Sequence, residues 1–174
     1  MLLLKTLLHV LLLPCTLIVW APLLLVGGWR GAVSGARGGA PAVIGAALIV
    51  CGLAVFVWCH RDFLTKGRGT PNPLDPPKFL VARGPYRWVR NPMYVCAILM
   101  LFGEALIFRS PAFLLYALVV LLGFHLFVML YEEPTLRRLF GASYEDYCRT
   151  VPRWLPRRPA HHSKPAPPPA ASVL

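Results

Sequence analysis

Charged and aromatic side chains are concentrated in two short segments of the sequence. In the first segment, 80–94, Arg87 and Arg90 lie just before Asn91 and Pro92, where an apolar run begins. A helix that starts at Pro92 leaves its first backbone N–H groups without helical partners and carries the positive end of its dipole there, which suits a carboxylate or a phosphate. We therefore predict an anion-binding site at this helix start. The alternative is an aromatic belt whose arginines anchor the helix at a membrane surface.

The second segment places Glu132 and Glu133 side by side, directly after an apolar run that ends at Tyr131. The C-terminal end of a helix favours cations, so two carboxylates at this position need a partner. Arginines of the segment 61–91 or a cationic ligand would serve. A solvated salt bridge to Arg137 is the simpler alternative.

A histidine within the same apolar run is the third candidate for chemistry. His125 lies seven residues before Glu132, two turns away on the same face of a helix. Ionisable side chains at membrane depth are candidates for function, and we predict that His125 and Arg87 are the catalytic residues. A hydrogen bond between helices is the competing interpretation of His125.

The composition indicates the class of protein to which these side chains belong. Of the 174 residues, 57% are hydrophobic and 14% are charged, and the mean hydropathy is +0.60. Soluble domains have roughly 45–50% apolar and about 25% charged residues, so an ordinary soluble domain is excluded, and so is a disordered chain. The net charge of +11 would suggest nucleic acid in a soluble protein. In a chain this apolar it indicates cytoplasmic loops that face anionic lipid.

Four apolar runs are long enough to span a membrane, which requires roughly 17–25 residues. They are Leu2–Val26, Pro41–Trp58, Pro92–Phe108 and Ala112–Tyr131. A signal peptide is the alternative for the first run, although its apolar stretch is long for one. Fifteen of the 18 Lys and Arg residues lie in 61–91, in 132–174 or at position 5. The positive-inside rule therefore predicts a multi-pass protein whose two termini and 61–91 segment are cytosolic.

These observations predict an all-α transmembrane bundle of four spanning helices. Residues 1–60 would form two N-terminal helices, 61–156 a core with the cytosolic segments and a helical hairpin, and 157–174 a disordered proline-rich tail. No two of the five cysteines form a C-x-x-C pair, so we expect neither a disulfide framework nor a metal site.

The two segments together resemble a known superfamily of integral membrane enzymes. The sequence Gly84-Pro85-Tyr86-Arg87-Trp88-Val89-Arg90-Asn91-Pro92-Met93-Tyr94 is followed by a hairpin, by Glu132-Glu133 and by Val151-Pro152-Arg153. This order, over about residues 75–156, resembles the isoprenylcysteine carboxyl methyltransferase and phospholipid methyltransferase superfamily. The resemblance implies S-adenosylmethionine as cofactor, bound at the cytosolic membrane face in a cleft between the 61–91 segment and the C-terminal segment.

The resemblance also assigns residues to the cofactor. Leu80, Val81 and Tyr86 match the stretch that lines the cleft, and Asn91-Pro92-Met93-Tyr94 matches the family's His-Pro-x-Tyr element, with Asn in place of the more usual His. Glu132 and Glu133 match the acidic pair that contacts the cofactor, and Arg90 with the helix start would hold the cofactor's carboxylate.

One departure concerns the substrate. The carboxyl methyltransferases carry an arginine one turn before the matching glutamate, and this chain has Val128 there. A prenylcysteine carboxylate is therefore not supported as the acceptor. We predict a methyltransferase for a lipidic or small amphipathic acceptor, in contact with membrane lipids and without a nucleic-acid partner. A membrane NADPH-dependent sterol or enone reductase and a non-enzymatic membrane scaffold are the alternatives, and the methylated atom stays open between oxygen, nitrogen and sulfur.

Overall fold

All regular structure in the described part of the chain is helical, as the composition predicts. The computed structural model describes residues 16–25, 27, 28, 31, 35, 36, 38–62, 80 and 82–157. The elements in chain order are a π-helical stretch Thr16–Trp20, α1 (Ala21–Leu25), α2 (Ala40–Asp62), a 3₁₀ turn Gly84–Arg87, α3 (Pro92–Phe108), α4 (Pro111–Phe127), a π turn Val128–Glu132, α5 (Glu133–Phe140) and α6 (Ala142–Thr150).

Two helices in these residues are long and apolar enough to cross a membrane. They are α2, with 23 residues, and the continuous helix of 30 residues that runs from Pro111 to Phe140. Two shorter apolar helices accompany them, Thr16–Leu25 and α3 with 17 residues. This pattern and the exposed leucines of α4 agree with the predicted membrane protein, and the count of four spans stays a prediction. Residues 2–15 and Val26 of the predicted first span lie outside the described residues.

Helices α2 and α3 approach each other closely because glycines face each other between them. A Cβ atom added to Gly103 would lie 2.6 Å from the carbonyl oxygen of Gly45 and 2.7 Å from Cγ1 of Ile49. Farther along the same contact, Phe56, Cys96 and Met100 form one buried apolar cluster. Helix association within a membrane relies on such close packing of small residues.

Helices α3 and α4 form the short antiparallel hairpin that the sequence predicts. The observed bounds of α3, Pro92–Phe108, coincide with the predicted ones. Arg109 ends the helix in the left-handed conformation, with φ of 47°, and its guanidinium donates a 2.8 Å hydrogen bond to the carbonyl oxygen of Gly38. Ser110 then leads into Pro111, the first residue of α4. Leu101 and Ala117 are fully buried in the cluster between the two helices.

The fourth predicted span is longer in the structure than in the sequence analysis. It begins at Pro111 and does not end at Tyr131, because the helix continues through the π turn into α5. Pro134 lies in the first turn of α5, where its missing N–H and its ring would disrupt a regular α-helix. The wider π turn just before it accommodates the proline. Glu132 and Glu133 therefore lie inside a continuous helix and not at its end.

The two segments predicted to be cytosolic are described in part. Residues 63–79 and Val81 of the 61–91 segment lie outside the described residues, and so do residues 158–174 of the predicted tail. Arg157, the first residue of that tail, donates its backbone N–H to the carbonyl oxygen of Trp88 at 2.9 Å and thus belongs to the folded part.

Candidate functional site

The chain before α3 and the chain after α6 are joined by hydrogen bonds. We call residues 151–157 the C-terminal strap. The hydrogen bonds are Arg90 N–H to Pro152 O (2.8 Å), Arg157 N–H to Trp88 O (2.9 Å), Asn91 Nδ2 to Arg153 O (3.2 Å) and, from α6, Tyr147 Oη to Tyr86 O (2.7 Å). Two segments some 60 residues apart in sequence, which the resemblance assigns to one cleft, are therefore in direct contact.

Glu133 is the centre of a buried ion cluster. Its side chain is 3% exposed, and its carboxylate accepts two hydrogen bonds from Arg153, from Nε at 2.7 Å and from Nη2 at 2.9 Å. Arg90 Nη1 lies 3.0 Å and Arg137 Nη2 3.3 Å from the same carboxylate. Three guanidinium groups thus surround one buried carboxylate. Pairing with Glu133 raises the pKa of Arg153 above its ordinary value.

Arg90 and Asn91 point toward this cluster and the strap. Arg90 Nη1 also donates to the sulfur of Cys148 at 2.7 Å, and its Nε is buried without a hydrogen-bond partner in the described part of the chain. Asn91 is buried, and its side chain makes no cap hydrogen bond to α3. Of the partners predicted for the acidic pair, Arg90 of the 61–91 segment and Arg137, the simpler alternative, both contact Glu133.

Glu132 has different surroundings from its neighbour. Its carboxylate accepts a 2.8 Å hydrogen bond from the hydroxyl of Tyr94. No lysine or arginine of the described residues forms an ion pair or a hydrogen bond with it, whereas Glu133 contacts three arginines. The Tyr94 ring packs on Phe124 of α4, with ring centroids 4.7 Å apart. The acidic pair thus consists of one neutralised carboxylate and one carboxylate without a cationic partner among the described residues.

Apolar packing fixes the remaining residues of the predicted cleft. Leu80 packs against a buried cluster of Tyr144, Tyr147 and Val151. The buried Tyr86 and Cys59 form a second cluster, and Met93 packs against this cluster. Pro92 is fully buried. Burial raises the pKa of Tyr86 and the pKa of Tyr147 well above the ordinary tyrosine value, so both phenols stay protonated, and the Tyr147 hydroxyl donates to the carbonyl oxygen of Tyr86.

Neither of the two predicted catalytic residues is among the described partners of Glu133. His125 accepts a 3.1 Å hydrogen bond at Nδ1 from the indole N–H of Trp154, and the two rings lie 5.9 Å apart. Its partner is thus on the C-terminal strap and not on another spanning helix. Arg87 ends the 3₁₀ turn and is exposed.

Comparison with known proteins places the chain in a family. The model of the phospholipid methyltransferase family matches residues 41–143, more than half of the chain. The protein belongs to the phospholipid methyltransferase family. No curated protein matches the chain, and no solved structure matches it. Phospholipid methyltransferases form part of the superfamily that the two sequence motifs resemble, so the predicted resemblance is confirmed.

Family membership identifies the protein as a membrane methyltransferase in general terms. The phospholipid methyltransferase match runs from the second residue of α2 through α5 and includes the acidic pair. It ends at residue 143, the second residue of α6. No group of three or more His, Cys, Asp or Glu residues that could hold a metal occurs in the described ranges.

Sequence reasoning missed three residues that complete this site in the phospholipid methyltransferase chain. Arg153 donates a hydrogen bond to the carboxylate of Glu133, Trp154 donates one to the ring of His125, and Tyr147 donates one to the backbone carbonyl of Tyr86. The motif Val151-Pro152-Arg153 was the available signal for Arg153. The partners of Trp154 and Tyr147 depend on contacts between distant segments.

Proposed function

We propose that the protein transfers a methyl group from S-adenosylmethionine to a lipidic or amphipathic acceptor at the cytosolic face of the membrane. Membership of a methyltransferase family and the match of both cytosolic motifs to the superfamily pattern support this proposal. The unequal surroundings of Glu132 and Glu133 are the single observation that carries it.

The residues present fit this cofactor. S-adenosylmethionine carries an ammonium, ribose hydroxyls, a sulfonium and a carboxylate, so its site needs an anionic group and a cationic group. Glu132 is a largely buried carboxylate whose described polar partner is a neutral hydroxyl, that of Tyr94. A buried charge without a counter-charge is costly, and a cationic ligand next to Glu132 removes that cost.

The cationic group lies beside it. Three guanidinium groups share Glu133, and Arg137 also pairs with Glu145 at 2.8 Å, so the cluster retains excess positive charge. Glu132 would hold the ammonium or the ribose hydroxyls, and Arg90 with the start of α3 would hold the carboxylate. Tyr94 orients the Glu132 carboxylate through its hydroxyl.

When bound, the cofactor supplies a methyl group on a positively charged sulfur. Methyl transfer removes that charge, so the protein's main contributions are alignment and a dry, preorganised environment. Phe124 against the Tyr94 ring, together with the buried Tyr86, limits the access of water to this region. The exposed apolar surface of α4 allows an acceptor to arrive from the bilayer.

Glu132→Gln tests the proposal, because it removes the charge and keeps the shape. A hydrogen bond to a charged group contributes about 1.5–3 kcal/mol, so the dissociation constant of S-adenosylmethionine should rise roughly ten- to a hundredfold. Titration calorimetry on purified protein in detergent micelles measures it. Glu145→Gln, the same change in an exposed glutamate of α6, is the matched control and should leave the affinity unchanged.

Two outcomes would contradict the proposal. One is an unchanged affinity in a folded Glu132→Gln variant, which would remove Glu132 from the site. The other is calorimetric binding of NADPH by the wild-type protein with no binding of S-adenosylmethionine, which would favour reductase chemistry.

A further inference from the structure

The C-terminal strap contacts the long helix Pro111–Phe140 at two places, through two adjacent residues. Arg153 donates two hydrogen bonds to the carboxylate of Glu133, at 2.7 Å and 2.9 Å. Trp154 donates its indole N–H to Nδ1 of His125 at 3.1 Å. His125 lies eight residues before Glu133, which corresponds to roughly 12 Å of α-helix. Two neighbouring residues of the strap thus hold the helix at two separate points.

The π turn Val128–Glu132 lies between these two points. The backbone N–H of Glu133 donates to the carbonyl oxygen of Val128, five residues earlier, whereas an α-helix would use the carbonyl four residues earlier. Turns of this kind are rare and are frequent at functional sites. Pro134 explains why the helix widens here, because it disrupts regular α-helical bonding. The two strap contacts restrain the helix on both sides of the widened turn.

Glu132 is the last residue of this turn, and its direction matters for the proposed site. Its carboxylate accepts a hydrogen bond from Tyr94 at 2.8 Å, and the Tyr94 ring packs on Phe124, the neighbour of His125 in sequence. If the turn reverted to regular α-helical bonding, Glu132 would point in another direction and leave Tyr94. The direction of this carboxylate therefore depends on how the helix is held at His125 and at Glu133.

The contact at His125 has a defined polarity. An indole N–H can only donate, so Nδ1 of His125 presents its lone pair, and the hydrogen of the neutral ring is on Nε2. His125 thus contributes an acceptor to this contact. Among the described residues it forms no hydrogen bond with Glu132. An effect of the histidine on a ligand of Glu132 must therefore pass through the helix.

We propose that Arg153 and Trp154 hold the helix on either side of the π turn, and that the Trp154–His125 hydrogen bond thereby positions the Glu132 carboxylate for the cofactor. The proposal rests on the proposed function and adds two positioning residues to it. His125 and Trp154 act through Glu132 and need no contact of their own with the reacting atoms.

Three substitutions vary this hydrogen bond. Trp154→Phe keeps an aromatic ring and removes the indole N–H. His125→Leu removes the acceptor, whereas His125→Asn keeps one, because its amide oxygen reaches approximately the position of Nδ1. Trp88→Phe is the matched control, since it removes the indole N–H of an exposed tryptophan whose side chain forms no hydrogen bond in the described part of the chain.

The first measurement is the affinity for S-adenosylmethionine, by titration calorimetry in detergent micelles. Trp154→Phe and His125→Leu should raise the dissociation constant about two- to tenfold, the equivalent of one hydrogen bond. His125→Asn and Trp88→Phe should bind as wild type does. In the Glu132→Gln background, Trp154→Phe should cause no further loss, because the group through which it acts has lost its charge. A contact that only stabilises the fold would give independent losses that multiply.

The second measurement requires no ligand. Exchange of the backbone amide hydrogens of residues 128–132, read by mass spectrometry, reports whether the π turn stays in place. Trp154→Phe and His125→Leu should accelerate this exchange in the cofactor-free protein, and Trp88→Phe should leave it unchanged.

Wild-type affinity in a folded Trp154→Phe variant would overturn the proposal. Multiplying losses in the double variant, equal affinities of His125→Asn and His125→Leu, or unchanged amide exchange in both Trp154→Phe and His125→Leu would overturn it as well. Failure of the wild-type protein to bind S-adenosylmethionine would refute the proposed function, and the amide exchange alone would then decide whether the strap holds the π turn.

Discussion

The ion cluster around Glu133 predicts that its neutralisation will release the C-terminal strap. Glu133→Gln keeps the size of the side chain and removes its charge, so three guanidinium groups lose their shared anion. Arg153 loses a bidentate contact and Arg90 loses its carboxylate partner. The strap and the start of α3 are joined partly through these two side chains, so both should loosen together.

The magnitude follows from how deeply each partner is buried. Breaking a buried ion pair by removing one partner costs about 3–5 kcal/mol. The Arg90 side chain is 11% exposed and bears this cost most directly, whereas Arg137 is 42% exposed and can be hydrated. Exposed pairs contribute about 0–1 kcal/mol. We therefore expect Glu133→Gln to lower the free energy of unfolding by about 3 kcal/mol, the lower end of the range.

Two measurements test this expectation. Denaturant titration in detergent micelles reports the change in unfolding free energy. Labelling of Cys148 by a water-soluble maleimide, read by mass spectrometry, reports opening of the site, since this thiol is half-buried against Arg90. Glu145→Gln is the matched control, with a side chain 48% exposed, and should change stability by less than about 1 kcal/mol.

The reasoning would be refuted if Glu133→Gln lost no more stability than Glu145→Gln and left the Cys148 labelling rate unchanged. A loss of stability with an unchanged Cys148 labelling rate would indicate that the cluster stabilises α5 and does not keep the strap in place.

Two further predictions concern packing and the arginines before α3. Gly103→Ala should destabilise the protein by about 1–3 kcal/mol, because the added carbon meets the backbone of α2. Gly123→Ala, with open space around it, should stabilise the protein by about 0.5–1 kcal/mol. Thermal unfolding of both variants gives the sign of each stability change, and equal signs would disprove the close approach of α2 and α3. Arg90→Ala should lower the free energy of unfolding, measured by denaturant titration, by at least about 2 kcal/mol more than Arg87→Ala, since of these two arginines only Arg90 contacts the buried Glu133. Equal losses of stability would show that both arginines are only surface anchors.

The sequence predicted the helices whose ends carry local signals. Pro92 at the start of α3 and the Arg109-Ser110-Pro111 link at its end fix both of its bounds without help from distant residues. The end of the fourth helix could not be predicted in this way. A proline at position 134 normally stops a helix before it, and only the π turn lets this helix continue.

The sequence predicted some members of the site but not their pairings, and it missed Arg153, Trp154 and Tyr147. The acidic pair predicted a partner among the arginines of the 61–91 segment, and Arg90 is one of the three arginines that contact Glu133. Nothing local in the sequence distinguishes Glu132 from Glu133, although one contacts Tyr94 and the other contacts three arginines. Part of that difference comes from Arg153 of the strap, which is 20 residues from Glu133 in sequence.

The π turn at Val128–Glu132 has a consequence for how the two halves of the long helix relate to each other. Successive residues of an α-helix rotate by about 100°, and a π turn spreads one rotation over more residues. Side chains after the turn are therefore out of phase with those before it. The exposed apolar side chains of α4 and the charged face that contains Glu133 have different angular positions, and one continuous helix presents both surfaces.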